Sequence, residues 1–192
     1  MKDFFYNKKI AAIAFIGMVL FAVFVIGGRD LKKEANVALD VFYGKIEYGK
    51  NDYGIDVSLE CDNIIGNGKN LLIIASKYLD DNEASVVVLR EYTQEAPSKD
   101  RAARARELTA GAALVRAASH EVMVKLFTMD IADKDREYLI KIEADIEAAI
   151  RKSGLSGYGE FADEFNELIT NPYTGFIAKV NRIKELPIIF FR

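Results

Sequence analysis

The sequence predicts a mainly helical protein, with one transmembrane helix near its N-terminus and a helical bundle after it. Two observations carry this prediction. The first is an uncharged apolar run, IAAIAFIGMVLFAVFVIGG, from Ile10 to Gly28. The second is the scarcity of proline in the remainder, where only Pro97, Pro172 and Pro187 occur. Long stretches therefore lack the residue that most strongly interrupts helices.

The apolar run has the length of a membrane-spanning helix. At about 1.5 Å per residue it extends roughly 28 Å, against a hydrocarbon thickness of about 30 Å. We therefore predict an anchor at residues 10–28, preceded by a short tail at residues 1–9. A cleaved signal peptide is one alternative, but its apolar core is usually about 7–15 residues and ends at a small-x-small site. A buried core helix is the other, although the run has no polar face.

The side of the membrane that carries the rest of the chain is not fixed by the sequence. Orientation follows the count of lysine and arginine near the two ends of a span. The count is a tie between Lys2, Lys8 and Lys9 before the run and Arg29, Lys32 and Lys33 after it. The prediction is a single-pass cell-membrane protein of undetermined orientation.

Composition excludes several function classes. The net charge is -3 and charges of both signs are interspersed, which argues against a nucleic-acid binder and against a polybasic membrane-surface patch. Cys61 is the only cysteine, so there is no intramolecular disulfide and no cysteine-rich metal site. We interpret Cys61 as a packed apolar residue, with a reactive thiol as the alternative. Residues 30–192 suffice for one domain with its own core.

Four segments after the anchor show helical periodicity. The first runs from Asp30 to about Tyr48 and continues from the anchor. The second opens with Ser98 as N-cap and Asp100 in its first turn. Its apolar positions step 4-3-4-3-4, a narrow seam typical of helical bundles and coiled coils. The apolar positions are Leu31, Ala35, Ala38, Phe42 and Ile46; Leu108, Ala112, Val115, Ser119, Val122 and Leu126; Leu139, Ile142, Ile146 and Ile150; and Phe161, Phe165, Leu168 and Ile169.

Three segments are open on pattern alone. Residues 55–62 alternate apolar and polar, Asn67-Gly68 is a hairpin-turn pair, and residues 71–75 could form a second strand, so Ile55 to Ala75 is a hairpin or a helix. The run from Val86 to Arg90 is a helix or a strand. The apolar end, residues 183–191, is too short to span a membrane and either packs on the domain, which we favour, or touches the bilayer.

Two blocks resemble the LemA family. The terminal block GYGEFADEFNELITNPYTGFIAKVNRIKELPIIFF is similar to the end of LemA proteins, and KNLLIIASKYLDDNE is similar to the family's Asn-Leu…Tyr segment. The matching positions are Tyr158, Phe165-Asn166, Pro172, Ile177-Ala178-Lys179, Leu186-Pro187 and Phe190-Phe191, and Asn70, Leu71 and Tyr78. The family's Arg-Arg…Asp-Leu-Ile-Pro run is absent. Residues 63–69 replace it, and their glycines put in doubt the continuity of a helix through Ile55 to Ala75.

The resemblance implies an all-α protein, in which a single N-terminal transmembrane helix is followed by an antiparallel bundle of long helices. It therefore favours a helix for Ile55 to Ala75. The resemblance brings no catalytic residues to carry over to this chain.

Motifs for catalysis, metals or cofactors are weak. His120 is the only histidine and lacks the Glu-x-x-His spacing of di-iron bundles, so we expect it on the bundle surface. Gly66-Asn67-Gly68-Lys69 lacks the first glycine and the Ser/Thr of a phosphate loop. Arg101, Arg104, Arg106 and Arg116 are expected on a solvated face, with an anionic-lipid or acidic-partner contact as the alternative. Glu143, Asp145 and Glu147 could hold a hard cation only with further oxygens.

The sequence therefore predicts no catalytic, cofactor-binding or metal-binding residue and no enzyme activity. It predicts a membrane-anchored scaffold or accessory protein. Its partners would be the lipid bilayer, through residues 10–28, and an unidentified protein, but not nucleic acid. The alternative is a ligand-sensing or lipid-contacting membrane module.

Overall fold

The computed structural model describes residues 8–46, 54–94 and 98–188, and this part of the chain is all-α. It is 82% helix and has no strands. The helices are α1 (Lys8–Phe42), α2 (Val57–Tyr78), α3 (Ala84–Gln94), α4 (Arg101–Thr128), α5 (Asp133–Leu155), α6 (Tyr158–Thr170) and α7 (Pro172–Val180). The predicted class, a long apolar N-terminal helix followed by packed helices, is confirmed.

The described residues form two compact units. One contains residues 8–37 and 163–186, and therefore most of α1 together with α7. The other contains residues 38–162 and 187–188, and therefore α2 to α5. The predicted N-terminal tail lies outside the described residues except for the first turn of α1.

Helix α1 joins the predicted anchor and the predicted amphipathic helix into one continuous helix. Its end, however, is earlier than the predicted Tyr48. The chain leaves the helix after Phe42 because Gly44 adopts a left-handed conformation with φ of 61°, and the amide of Lys45 bonds back to the carbonyl of Asp40 at 2.8 Å. Ile46, predicted on the apolar face, is consequently exposed.

The contested segment forms helix α2, so its alternation does not mark a strand. Its core positions follow 4-3-4-3-4 steps: Val57, Cys61, Ile64, Gly68, Leu71 and Ala75 are all buried. Gly68 belongs to this series rather than to a turn. A Cβ there would lie 2.4 Å from Cγ1 of Val115, so glycine is what lets α2 approach α4 this closely.

Helices α3 and α4 pack beside α2. The segment Val86 to Arg90, open between helix and strand, lies in α3. The seam predicted for α4 is confirmed, since all six of its residues are buried. The predicted N-cap is wrong by two residues. Asp100 caps α4 by accepting a hydrogen bond from the amide of Ala103 at 2.7 Å, while the Ser98 hydroxyl accepts from the amide of Asp100 at 3.2 Å.

Helix α5 follows, and its predicted stripe Leu139, Ile142, Ile146 and Ile150 is buried. In α6, Phe165 and Ile169 are buried but Leu168 is exposed. The helix ends before Asn171, as predicted, and the Asn171 side chain then caps α7, with Pro172 in its first turn. In the apolar end, Leu186 is buried, while Ile189 to Phe191 lie outside the described residues.

Helix α2 is the centre of the bundle, because it packs against α3, α4 and α5. The ion pairs fix the directions. Lys77 pairs with Asp135 at 2.9 Å and Lys152 with Glu60 at 3.5 Å, so α2 and α5 are antiparallel. Glu83, directly before α3, pairs with Lys125 near the end of α4, so the start of α3 lies beside the end of α4.

Candidate functional site

The first candidate surface is the apolar part of α1. The helix is long and apolar enough to cross a bilayer, and no residue of its most apolar window is buried. Its exposed side chains point in all directions around the helix: Ile13, Phe15, Ile16, Met18, Val19, Leu20, Phe21, Val23 and Ile26. A helix in water would place such residues against a core. A signal sequence or the core helix of a soluble protein can have the same composition, so this surface is a weak indicator of a membrane span.

The second candidate surface is a groove between α4 and α5. Both helices direct their apolar seams at α2 and have few contacts with each other. The space left between them is a cavity of about 620 Å³. It is lined by Ala113, Arg116, Ala117, Ser119, His120, Glu121, Met123, Glu143, Ile146 and Glu147.

Ser119 is the unusual member of this groove. Sequence periodicity predicts it in the seam, and it is 1% exposed. Its hydroxyl has no hydrogen-bond partner among the described residues, although a buried hydroxyl normally has one. Thr109, by contrast, donates to the carbonyl of Ala105 at 2.8 Å from the same helix. Ser119 is thus a buried polar group at the groove whose hydrogen-bonding capacity no described residue meets.

The charged residues of the groove have both signs. His120 is exposed at the bundle surface, as predicted, and lies beside Arg116, Glu143 and Glu147. None of these four is ion-paired within the described ranges 8–46, 54–94 and 98–188. The three acidic residues predicted as a possible cation site are divided, since Asp145 lines a different cleft. No cluster of three or more potential metal ligands occurs in this part of the chain.

The third candidate surface is a cleft of about 520 Å³ between α2 and α5. Ile73, Ile74 and Ile142 give it an apolar part, and Asn67, Asn70 and Tyr138 are among its polar members. Lys134 and Lys141 add positive charge without a carboxylate partner among the described residues. Asp135 and Asp145 also line the cleft, so its charges have both signs.

One of the residues that line this cleft, Asp135, is a hydrogen-bonded carboxylate. Asp135 accepts from Lys77 at 2.9 and 3.1 Å and from the Tyr78 hydroxyl at 2.8 Å. The Lys77 and Tyr78 hydrogen bonds lower the pKa of Asp135 below its ordinary value. The Tyr78 oxygen also accepts from the amide of Ala132 at 3.3 Å. Tyr78, one of the residues of the LemA resemblance, thus ties the end of α2 to the start of α5.

The predicted arginine cluster is not one surface. Arg101 binds Asp40 at 2.6 Å and stacks on Tyr43, with 5.1 Å from its guanidinium carbon to the ring centre. Arg104 pairs with Asp62 at 3.7 Å. Arg101 and Arg104 line a third cavity, of about 460 Å³, together with Tyr43, Lys45, Ser98 and Lys99, whereas Arg116 lies in the α4–α5 groove. The carboxylates of Asp40 and Asp62 offset much of the positive charge of the cavity that Arg101 and Arg104 line.

The residues of the LemA resemblance near the C-terminus have structural roles. Tyr158 is buried, meets Phe42 at 5.0 Å between ring centres and donates to the carbonyl of Pro187 at 2.9 Å. The side-chain amide of Asn166 makes two hydrogen bonds with the backbone of Leu186. It donates to the Leu186 carbonyl at 2.9 Å and accepts from the Leu186 N–H at 2.7 Å. These bonds hold the apolar terminal segment in place.

Two sequence candidates for chemistry have no site geometry. Cys61 is fully buried in α2, and burial raises the pKa of its thiol to about 12, which makes it an inert packed residue. The glycine-containing stretch from Gly66 to Asn70 is helical throughout. It therefore forms no phosphate-binding loop.

No protein-family model matches the chain, and comparisons with the curated proteins and with the solved structures find no match either. The resemblance to LemA proteins accordingly stays a prediction from the quoted residues.

Proposed function

We propose that the protein is a single-pass membrane protein whose helical bundle serves a membrane process by binding another protein, as a scaffold or accessory without catalytic activity. One observation carries the membrane part. The apolar window of α1 has no buried residue, and water is a poor solvent for so much exposed apolar surface. The LemA-like blocks, with their implied anchor and bundle, agree with this proposal.

The α4–α5 groove is the surface we assign to the protein partner. It lies between two helices that have few contacts with each other, which leaves room for an added helix to pack against both of them. Its small residues, Ala113 and Ala117, allow a close approach. Its unpaired charges, Arg116, Glu143 and Glu147, supply specificity to a helix with complementary charges.

Site-specific photocrosslinking in native membranes tests this assignment. A photoreactive residue in place of His120, inside the groove, should yield a discrete crosslinked species. The matched control replaces Glu137, which is exposed on α5 outside every described cavity, and should yield none. Absence of a discrete product at His120, with normal membrane association, would contradict the scaffold proposal.

A ligand-sensing module is the second candidate, favoured by the unpartnered Ser119 hydroxyl. A small molecule in the groove could satisfy that hydroxyl, which no described residue does. Thermal-shift screening of the full chain against a metabolite library separates the two proposals. A compound that stabilises the parent protein but not the Ser119→Ala variant would support sensing, and crosslinking from His120 would then be expected to change with the ligand.

A further inference from the structure

Helix α7 has its apolar residues on the outside. Tyr173 is 85% exposed, Phe176 59% and Val180 55%. Their spacing of i, i+3 and i+7 places them on one face of the helix. Ala178, which is buried, lies on the opposite face. A surface helix in water has the reverse arrangement, with its apolar face inward.

The helix is well defined at both ends, so this exposure belongs to a fixed structure. At the start, the Asn171 side chain accepts from the amide of Tyr173 at 3.1 Å. At the end, Arg182 adopts a left-handed conformation with φ of 56°, and the amide of Ile183 bonds to the carbonyl of Ala178 at 2.9 Å. These are ordinary cap interactions.

The same helix packs against α1 where the apolar run ends. Phe176 meets Phe24 edge to face, with 5.5 Å between ring centres. The Asn181 amide donates to the carbonyl of Phe24 at 3.2 Å and to that of Ile177 at 3.0 Å. A Cβ at Gly28 would lie 2.3 Å from Nδ2 of Asn181. The glycine thus gives α7 room beside α1.

The exposed apolar face of α7 is therefore continuous with the exposed apolar surface of α1. The contact lies at Phe24 to Gly28, directly before Arg29, the first charge after the run. Aromatic side chains with one polar atom, such as tyrosine, favour the level of the lipid headgroups. Lys179, Arg182 and Lys184 supply the cationic residues that accompany such helices and favour anionic headgroups.

We propose that α7 is an interfacial helix, which lies in the headgroup region beside the end of the α1 span, with Tyr173, Phe176 and Val180 in contact with lipid. This inference rests on the proposed function, because it requires that α1 spans the bilayer. Lipid is favoured over a second copy or another protein because the α7 face continues the α1 surface without a break at Phe24 and Phe176.

The absence of tryptophan from the sequence makes a direct test feasible. A single introduced tryptophan is then the only indole in the protein. The full chain is reconstituted into phosphatidylcholine vesicles, with and without bromine on the acyl chains, since bromine quenches indole fluorescence on contact. The test variants are Phe176→Trp and Tyr173→Trp. The controls are Phe21→Trp within the apolar run and Tyr138→Trp on the exposed face of α5.

We expect brominated lipid to lower the emission of both α7 variants at least twofold, with bromine near the headgroup more effective than bromine deep in the chain. Phe21→Trp should be quenched more by deep bromine, and Tyr138→Trp should be unaffected. Because Tyr173 has no ring contact with Phe24, its variant remains informative if Phe176→Trp disturbs the packing.

The controls separate the two failures. Quenching at Phe21→Trp without quenching at either α7 position would overturn the interfacial helix and leave the anchor intact. Blue-shifted but unquenched emission from α7 would assign the face to a protein and overturn the inference in the same way. Absence of quenching at Phe21→Trp would overturn the proposed function itself.

Discussion

The apolar run of α1 and the seam of α4 contain similar apolar side chains but expose them to opposite surroundings. In α4 these residues recur at steps of three and four, and all of them are buried against the bundle. In α1 the apolar residues between Ile10 and Gly28 follow one another without a polar face, and most are exposed. The difference teaches that periodicity, rather than hydrophobic content, distinguishes a helix that packs into a bundle from one whose apolar surface is left exposed.

The largest expected effect comes from removing a buried side chain. Leu71→Ala should lower the free energy of unfolding by about 2–5 kcal/mol, because Leu71 is fully buried in α2 and a cavity remains. Leu20→Ala in α1 should change it by less than about 0.5 kcal/mol. Urea unfolding of the full chain in detergent, followed by circular dichroism, measures both. Equal losses would mean that α1 is a core helix.

An introduced charge should affect membrane insertion when it lies in α1 but not when it lies in α2. Leu20 and Leu59 are both about half exposed, the first in α1 and the second in α2. Leu20→Lys should disfavour membrane insertion by about 2.5–3.5 kcal/mol, whereas Leu59→Lys should leave it unchanged. The measurement is the fraction of protein that stays with membranes after alkaline extraction. A similar loss in the two variants would remove the distinction.

Two glycines of α2 sharpen the account of the bundle. Gly68→Ala should destabilise the protein by about 1–3 kcal/mol, because its Cβ would meet Val115 at 2.4 Å. Gly66→Ala should stabilise it by about 0.5–1 kcal/mol, since no atom lies within 4 Å of its Cβ and alanine favours a helix. Thermal unfolding of both variants provides the comparison. A destabilising Gly66→Ala would contradict this packing.

The smallest expected effect is a pH dependence from Asp135. Because its hydrogen bonds to Lys77 and Tyr78 lower its pKa from the ordinary value of 3.8, its stabilisation is complete above that value. It is lost as the pH falls through the folded-state pKa. In Asp135→Asn, the midpoint of unfolding should therefore depend less on pH below about pH 4. The midpoint at neutral pH should be lower than in the parent protein. An unchanged acid limb in this variant would show that Asp135 contributes nothing there.

The elements best predicted from sequence were those whose apolar spacing is long and regular. The α4 seam and the α5 stripe are examples. The hairpin alternative for α2 arose because Asn67-Gly68 has turn chemistry and residues 55–62 alternate. The buried series through Gly68 shows that tertiary packing against Val115 decided the outcome. Local chemistry alone could not choose between Ser98 and Asp100 as the cap of α4, because both residue types cap helices.

The candidate surfaces were less predictable than the helices. Sequence spacing placed Ser119 in the seam and His120 outside it, but a missing hydrogen-bond partner depends on neighbours from other helices. The α4–α5 groove exists because both helices pack on α2, which no single periodic pattern specifies. For α7, the signal was available in Tyr173, Phe176 and Val180, whose common face becomes meaningful only once the structure shows that it points outward.

The most direct test of the central claim is the reactivity of one cysteine in the apolar run. Phe21→Cys and Gly154→Cys are introduced separately into the Cys61→Ala variant, and each protein is reconstituted into vesicles. The vesicles are then opened and resealed in the presence of a water-soluble maleimide. Both positions are exposed in the structure. We expect Gly154→Cys to react in the vesicles, and Phe21→Cys to react only after the lipid is dissolved and the protein denatured. Equal rates at the two positions would contradict a lipid-embedded α1.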